Sequence, residues 1–317
     1  MTRALSVFTK RSFVVENRGR SKALAAGIVL ALAFWSTAAW AGAAPTTASP
    51  AALPSVERYQ AAKAKAWAWL AALKIDAADL TLHRVKGKKK VGEMLAALLL
   101  YHRHAKTDAE RAVVLQKVAE VEKQTRTPAY HDLADASDRV FTENSMSYFR
   151  VLWLLQAFGR DTKDYRARLD QVKPRMDAHL VRRGPWQREM FAEYYDRFGL
   201  AKPPILTREA KKLPGVIDRR LPADRYDRND TYNLTHEVFV AFDYGLQHEQ
   251  TRLTIWDLDY CRKTLAALAR RFMAARDTDL VGELASSMVY LGYGDDPDCV
   301  EAIRYLIDAQ NANGSWG

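Results

Sequence analysis

The chain has 317 residues, of which 48% are hydrophobic and 27% are charged, so it is long enough to fold into one large domain or two small ones. Its 48 basic and 38 acidic residues give a formal net charge of +10. Six of the basic residues and one acidic residue lie in the first 41 positions, which leaves 42 basic and 37 acidic residues, or +5, for the remainder. Because this excess is weak, no nucleic-acid partner is expected.

The first 41 residues predict a signal peptide. Basic residues up to Lys22 precede an uncharged run from Ala23 to Ala44, and Ala39-Trp40-Ala41 has the small-x-small pattern of a signal peptidase site. The apolar run of about 20 residues is also long enough to span a bilayer, so an uncleaved anchor is the alternative. The sequence therefore predicts a secreted or periplasmic protein that contacts a membrane only through this leader, if the leader stays attached.

A small, proline-rich linker at 42–54 separates the leader from one domain at 55–317. In that domain apolar residues recur at intervals of three and four, which is the period of an α-helix. The predicted helices are 55–73, 89–106, 108–125, 137–158, 161–182, 186–198, 206–213, 231–248, 256–275, 279–292 and 298–310. The segment 200–230 holds four prolines and is the one long irregular insertion, of the kind that often covers a site.

Two kinds of helix alternate along this domain. Helices 137–158, 231–248 and 279–292 are apolar almost all round, whereas the helix after each of them carries one apolar stripe. An all-α fold follows, in which an inner ring of helices is wrapped by an outer ring, an α/α toroid; a superhelical solenoid of helix pairs is the alternative. Val91-Gly-Glu-Met-Leu and Val281-Gly-Glu-Leu both open inner helices, which indicates an internal repeat.

Cys261 and Cys299 are the only cysteines of the chain. In an exported protein two cysteines can form one disulfide, and each of these two falls near the start of a predicted helix. The sequence does not decide whether they are joined.

The C-terminal tail carries the clearest motif. Gln310, Gly314 and Trp316 follow the last predicted helix, with Leu306 four residues before the glutamine. This spacing resembles the QW motif of the terpenoid-cyclase and protein-prenyltransferase α/α toroids, although residues 301–304 lack the glycine of the full motif. The resemblance implies a toroid, complete or incomplete, with Gly314 at positive φ, Gln310 on helix-end backbone groups and Trp316 covering the joint.

The chemistry of that superfamily does not carry over. Asp295-Asp-Pro-Asp298 departs from the cyclase Asp-x-Asp-Asp pattern and is predicted to cap a helix. Asp259-x-Cys261 resembles the prenyltransferase zinc motif, but no histidine follows His248, so no zinc site of that kind is expected. The stretches 235–237 and 277–283 are also similar to uncharacterised bacterial α/α-toroid proteins, and this likeness implies no activity.

Polar residues on the apolar inner helices are the candidates for a site, because a buried polar group must be paired or functional. His236 and Glu237 lie in helix 231–248, and Asp279 and Glu283 open helix 279–292, where they share a face. Since successive inner helices start at the same mouth of a ring, we expect these four side chains to converge there as catalytic residues. Carboxylates and a histidine supply the acid and base of glycosidic chemistry.

Asn144, Tyr148 and Arg150, in the first half of helix 137–158, are the predicted substrate-binding residues. They complete the Asn, His, Tyr and Arg repertoire of polysaccharide lyases that are built on toroids. The leading hypothesis is therefore an enzyme or binder of extracellular polysaccharide that works in a central funnel without a cofactor.

Several alternatives stay open at this point. A single divalent metal held by His236, Asp279 and Glu283 is one, because an oxygen-rich site with one imidazole suits such ions. Simple helix capping and hydrogen bonding by the same residues is another. For the whole protein, a non-catalytic interaction module and a relative of isoprenoid cyclases or transferases that lacks their signature acids are the competing functions.

Overall fold

A computed structural model of the chain describes residues 54–75, 80, 85–207, 213–247 and 252–316. Over these residues the fold is all-α, as predicted, with eleven α-helices and no strand. None of the helices so described is long and apolar enough to cross a membrane. The predicted leader at 1–41 and residues 42–53 of the predicted linker lie outside the described residues.

The helices follow the predicted order closely. They are α1 (Val56–Ala72), α2 (Val85–His104), α3 (Asp108–Thr125), α4 (Asp138–Ala157), α5 (Lys163–His179), α6 (Pro185–Arg197), α7 (Val216–Arg219), α8 (Arg228–Ala241), α9 (Ile255–Ala274), α10 (Thr278–Tyr290) and α11 (Pro297–Asp308).

Local capping determines where several of these helices begin. At the start of α3 the Thr107 hydroxyl accepts the backbone N–H of Glu110 at 3.1 Å, and the Glu110 carboxylate accepts the backbone N–H of Thr107 at 3.2 Å. At the start of α11 the carboxylate of Asp296 accepts the backbone N–H of Asp298 at 3.0 Å. The acid-rich turn before α11 is therefore a helix cap, as predicted.

Five helices pack against one another in chain order: α2 on α4, α4 on α6, α6 on α8 and α8 on α10. All five contribute side chains to one cavity. The remaining long helices pack behind them, α3 on α2, α5 on α4, and both α9 and α11 on α10. Inner and outer helices thus alternate along the described chain, as the apolar patterns predicted, because an all-round apolar helix must be covered on every side.

The C-terminal tail packs against the first helix. Gln310 Nε2 donates to the carbonyl oxygen of Ala62 in α1 at 3.0 Å. Trp316 is buried, and its indole N–H donates to the carbonyl oxygen of Leu306 in α11 at 2.7 Å. Gln310 therefore binds a carbonyl in the middle of α1 and not, as predicted, the backbone groups of a helix end. Through these contacts the last helix of the described residues meets the first one.

Gly314 makes this contact sterically feasible. Its φ is +87°, as predicted for a turn glycine, and a Cβ at this position would collide with the carbonyl oxygen of Lys65. The tail can approach the backbone of α1 this closely only because glycine has no side chain.

Most of the predicted helix 206–213 lies outside the described residues, at 208–212, and the residues before them form a 3₁₀ turn at Pro204–Leu206. The end of another predicted helix was wrong. The predicted helix 231–248 is α8, which ends at Ala241 because Asp243 and Tyr244 both adopt positive φ, at 48° and 54°. In an uninterrupted helix Asp243 would lie on the same face as His236, two turns further on. Because α8 ends first, Asp243 does not lie on that face.

The described part of the proline-rich segment 200–230 packs on the outside of α8 and α9. The hydroxyls of Tyr226 and Tyr260 are 2.7 Å apart, and the Arg271 guanidinium donates to the carbonyl oxygen of Tyr226 at 2.7 Å. Short helix α7 packs on α8 and α9. The described residues of this segment occupy an outer position beside α8, and none of them lines the central cavity.

Cys261 and Cys299 are both free thiols. Both are fully buried, and burial raises the pKa of each thiol to about 12. They are therefore protonated groups that pack in the core, and they do not form the disulfide that the sequence left open.

Candidate functional site

The central cavity has a volume of about 120 Å³ and is lined by side chains from α2, α4, α6, α8 and α10. Its ionisable lining residues are Lys89, Glu93, Glu143, Arg150, His236 and Glu283, and its large apolar and aromatic ones are Trp186, Met190, Phe239 and Tyr244. Charged side chains are rarely directed into the interior of a domain without a partner or a role. This concentration makes the cavity the candidate site.

Two larger depressions lie on the outer surface. One, of about 460 Å³ between α9 and α11, is lined by charged residues that pair with one another, such as Arg262 with Asp296 at 3.1 Å. The other, of about 280 Å³, lies between α1, α2 and α3. Neither brings together ionisable groups from as many helices as the central cavity does.

His236 and Glu283 face each other across the cavity from neighbouring helices. Nδ1 of His236 lies 3.8 Å from Oε2 of Glu283, and the exposed fractions of the two side chains are 22% and 14%. Nδ1 also lies 2.7 Å from the carbonyl oxygen of Tyr232, to which it donates, so Nε2 is the unprotonated nitrogen of the neutral ring. The Trp186 ring packs on the imidazole with centroids 4.5 Å apart.

Burial shifts the pKa values of these two groups in opposite directions, because it disfavours the charged form of each. Burial, with help from the charges of Lys89 and Arg150, lowers the pKa of His236 to about 4, against its hydrogen bond to the carbonyl oxygen of Tyr232. Burial raises the pKa of Glu283 to about 8, against a hydrogen bond from the Thr235 hydroxyl at 2.5 Å that favours the carboxylate. Near pH 7 the histidine is therefore neutral and the carboxyl group is protonated.

Asp279 lies at the rim, one turn before Glu283 on α10. It accepts a hydrogen bond from the Tyr232 hydroxyl, and its Oδ2 lies 3.8 Å from the Arg228 guanidinium. Asp277, two residues earlier, caps α10 by accepting the backbone N–H of Leu280 at 3.2 Å. The structure thus brings Asp279 close enough to Glu283 for its charge to raise the pKa of that carboxyl group, but it pairs Asp279 with neighbours outside the cavity.

Glu237 points away from the cavity. Its two carboxylate oxygens accept the backbone N–H groups of Val216 and Ile217, at 2.8 and 3.0 Å, and so cap the start of α7. Burial raises the pKa of Glu237 to about 7, against these two hydrogen bonds. The predicted convergence of four catalytic side chains is therefore wrong for Glu237, because adjacent helical residues project about 100° apart.

Of the three predicted substrate-binding residues, only Arg150 lines the cavity. Asn144 and Tyr148 are buried on another face of α4. The Tyr148 hydroxyl lies 2.8 Å from Nδ1 of His131, and its ring stacks on that of Tyr130 with centroids 5.6 Å apart. Asn144 and Tyr148 thus belong to the packing behind α4, and Glu143 and Ser147 take the cavity positions.

The sequence pattern of a family described as a domain of unknown function, DUF6895, matches residues 61–316. The chain belongs to the DUF6895 family. No curated protein and no solved structure matches it. Every cavity residue of this DUF6895 domain lies inside the matched range.

Sequence reasoning missed Lys89, Glu93 and Trp186 in this DUF6895 domain. Lys89 pairs with Glu93 at 3.3 Å on α2, and burial raises the pKa of Glu93 although the lysine opposes it. A signal for Glu93 was present, because Val91-Gly-Glu and Val281-Gly-Glu place Glu93 and Glu283 at the same position of two inner helices. Both glutamates line the cavity.

A divalent metal held by His236, Asp279 and Glu283 was one alternative for this site. In the part of the DUF6895 domain that the structure describes, no three or more His, Cys, Asp or Glu side chains group closely enough to hold a metal ion. What the cavity of this DUF6895 protein offers is a proton donor, a proton acceptor and two cationic side chains.

Proposed function

We propose that the protein is an exported enzyme that acts on extracellular carbohydrate by general acid and base chemistry in the central cavity. The observation that carries this proposal is the His236–Glu283 pair, which lies at one cavity with opposite pKa shifts. Pairs of titratable groups whose environments push their pKa values apart are typical of acid and base assignments.

The two groups have complementary roles near neutral pH. Glu283 is protonated and donates its proton to the oxygen of the bond that breaks. His236 accepts a proton through Nε2 from water or from the sugar, while its Nδ1–H stays fixed on the carbonyl oxygen of Tyr232. A positioned acid or base of this kind contributes about 10²- to 10⁴-fold to a rate.

The lining of the cavity favours a polar substrate with an apolar face. Trp186, Phe239 and Tyr244 supply aromatic surface, and the charged residues supply hydrogen-bonding groups. Sugars present both C–H faces and hydroxyl edges, so this mixture suits them. The same charged lining disfavours the isoprenoid chemistry of the superfamily that the tail resembles, since an apolar chain would leave these groups without partners.

We further propose that the alternating inner and outer helices form an α/α toroid. In this toroid the contact between the tail and α1 closes the ring. The order of the five inner helices, their common cavity and the hydrogen bond from Gln310 to Ala62 support this arrangement. A secreted or periplasmic location rests on the predicted leader alone. A binding module without turnover is the alternative function, because fold by itself does not imply chemistry.

The test is a degradation screen of the purified protein against neutral and acidic polysaccharides. We expect turnover of at least one of them, with a loss of about 100-fold or more in His236→Ala. His102→Ala, a histidine of α2 that does not line the cavity, is the matched control and should retain turnover. Unchanged turnover in His236→Ala would overturn the assignment. Saccharide binding without turnover in the parent protein would favour the binding module.

A further inference from the structure

Arg150 is a lining residue that forms no ion pair in the described structure. Its guanidinium lies 4.3 Å from the centroid of the Tyr244 ring, and its Nε is buried with no hydrogen-bond partner. No described carboxylate forms an ion pair with it. A buried donor on a cation costs free energy unless it is satisfied, so this arrangement calls for a group that the chain itself does not supply.

The carboxyl groups of the cavity are each neutralised by something else. Glu93 pairs with Lys89 at 3.3 Å, and Glu143 pairs with Arg139 at 3.4 Å, both one turn away on the same helix. Glu283 carries a proton near pH 7, because burial raises its pKa to about 8. Arg150 is therefore the described lining cation that contacts no carboxylate, although its charge acts from farther away to lower the pKa of Glu93.

We infer that Arg150 binds an anionic group of the substrate and that the substrate is an acidic saccharide, bearing a uronic-acid carboxylate or a sulfate ester. The saccharide part of this inference rests on the function proposed above, whereas the anionic part rests on Arg150 alone.

The geometry suits this role. The guanidinium packs over the Tyr244 ring, and its planar fork suits a carboxylate or sulfate, which it can bind through two parallel hydrogen bonds. Arg150 also lies close enough to His236 for its charge to help lower the pKa of that ring. An anion held by Arg150 would accordingly place its sugar next to the His236–Glu283 pair, where it can react.

The experiment measures binding of three monosaccharides to the full chain by calorimetry or by ligand-observed magnetic resonance. The probes are glucose, glucuronate and glucose 6-sulfate, which share one ring and differ in charge. We expect the better of the two anions to bind about 10- to 100-fold more tightly than glucose, because hydrogen bonds between charged groups are stronger than neutral ones. Which anion binds better identifies the carboxylate or the sulfate ester as the recognised group.

Variants then assign that preference to Arg150. In Arg150→Gln the preference for anions should disappear, and in Arg150→Lys, which keeps the charge but loses the fork, part of it should remain. Arg168→Gln removes the same charge from the outer helix α5 and should behave as the parent protein does. Circular dichroism of each variant confirms that it is folded.

The inference is overturned if glucose binds as tightly as both anions, if no probe binds, or if folded Arg150→Gln keeps the preference. Failure of the proposed catalysis would look different. If anions bind through Arg150 but no polysaccharide is turned over, then the anion site stands and the acid and base assignment falls.

Discussion

Glu283 and Glu237 are two glutamates on neighbouring inner helices. Their pKa values are shifted in the same direction by the same cause, but the two carboxyl groups have different neighbours. Burial raises the pKa of both, to about 8 and about 7. Glu237 accepts hydrogen bonds from two backbone N–H groups of α7, whereas Glu283 accepts one hydrogen bond from a hydroxyl group and faces a cavity. A raised pKa therefore reports burial, and only access to a ligand separates a reactive carboxyl group from a structural one.

The contrast is sharpest because His236 stands next to Glu237 in sequence. His236 points into the cavity, so the next residue on α8 is turned towards α7 on the outside. Three experiments test whether the two glutamates are as different as their surroundings indicate.

The largest difference should be in turnover. Glu283→Gln removes the proton donor but keeps the size of the side chain, so kcat/KM on a saccharide identified by the screen should fall by about 100-fold or more. Glu237→Gln should change kcat/KM by less than about threefold, because Glu237 does not reach the cavity. Equal losses in the two variants would show that the cavity does not separate their roles.

For the free energy of unfolding, the larger loss should occur at Glu237 and the smaller one at Glu283. Glu237→Ala leaves the buried N–H groups of Val216 and Ile217 without acceptors, so the free energy of unfolding should fall by about 1–3 kcal/mol. Glu283→Gln removes no backbone acceptor and should change it by less than about 1 kcal/mol. Urea denaturation measures both values, and a Glu237→Ala variant as stable as the parent would contradict the capping role.

The smallest effect is a pH dependence of stability. The folded protein keeps the Glu283 proton up to a pKa of about 8, while the unfolded chain releases it near its ordinary value of 4.5. The stabilisation is thus fully present below pH 4.5 and is lost as pH rises through 8. The buried proton of Glu237 likewise stabilises the fold at low pH, and this contribution is lost as pH rises through about 7. His236 has the opposite effect, because its contribution to stability increases as pH rises from about 4 to 6.5.

Between pH 7 and 8, Glu283 is therefore the group of these three that titrates most. The free energy of unfolding should fall over this interval, by at most about 1.4 kcal/mol per pH unit, in the parent protein and in Glu237→Gln. In Glu283→Gln the decrease should be smaller. Urea denaturation at a series of pH values checks this, and an unchanged slope in Glu283→Gln would place the pKa of this group elsewhere.

Much of the fold was predictable because it depends on neighbours in sequence. The cap at Asp296 and the positive φ of Gly314 follow from local chemistry, and each was found as predicted. The alternation of inner and outer helices was also readable, because an apolar stripe and an all-round apolar surface differ in sequence. The helix end at Ala241 was not, since the chain turns at Asp243 and Tyr244, two non-glycine residues with positive φ, before it reaches Gly245.

The candidate site was predictable only in part. His236, Glu283 and Arg150 were selected as polar residues on apolar helices, and they line the cavity. Glu237 and Tyr148 were selected by the same rule and point elsewhere. A helix that is apolar all round gives no preferred face, so its sequence cannot show which polar residue points inward.

The amino-acid sequence by itself determined an all-α chain, the order of its buried and outer helices, and the glycine turn that lets the tail reach another backbone. Periodicity, capping and backbone sterics act over a few residues, and a single chain segment contains all of that information. Only the tertiary structure decided that the tail lies on α1, that Glu237 caps α7, and that Glu93, Arg150, His236 and Glu283 share one cavity. These facts depend on the rotation of each helix about its axis, which is set by packing between segments far apart in sequence.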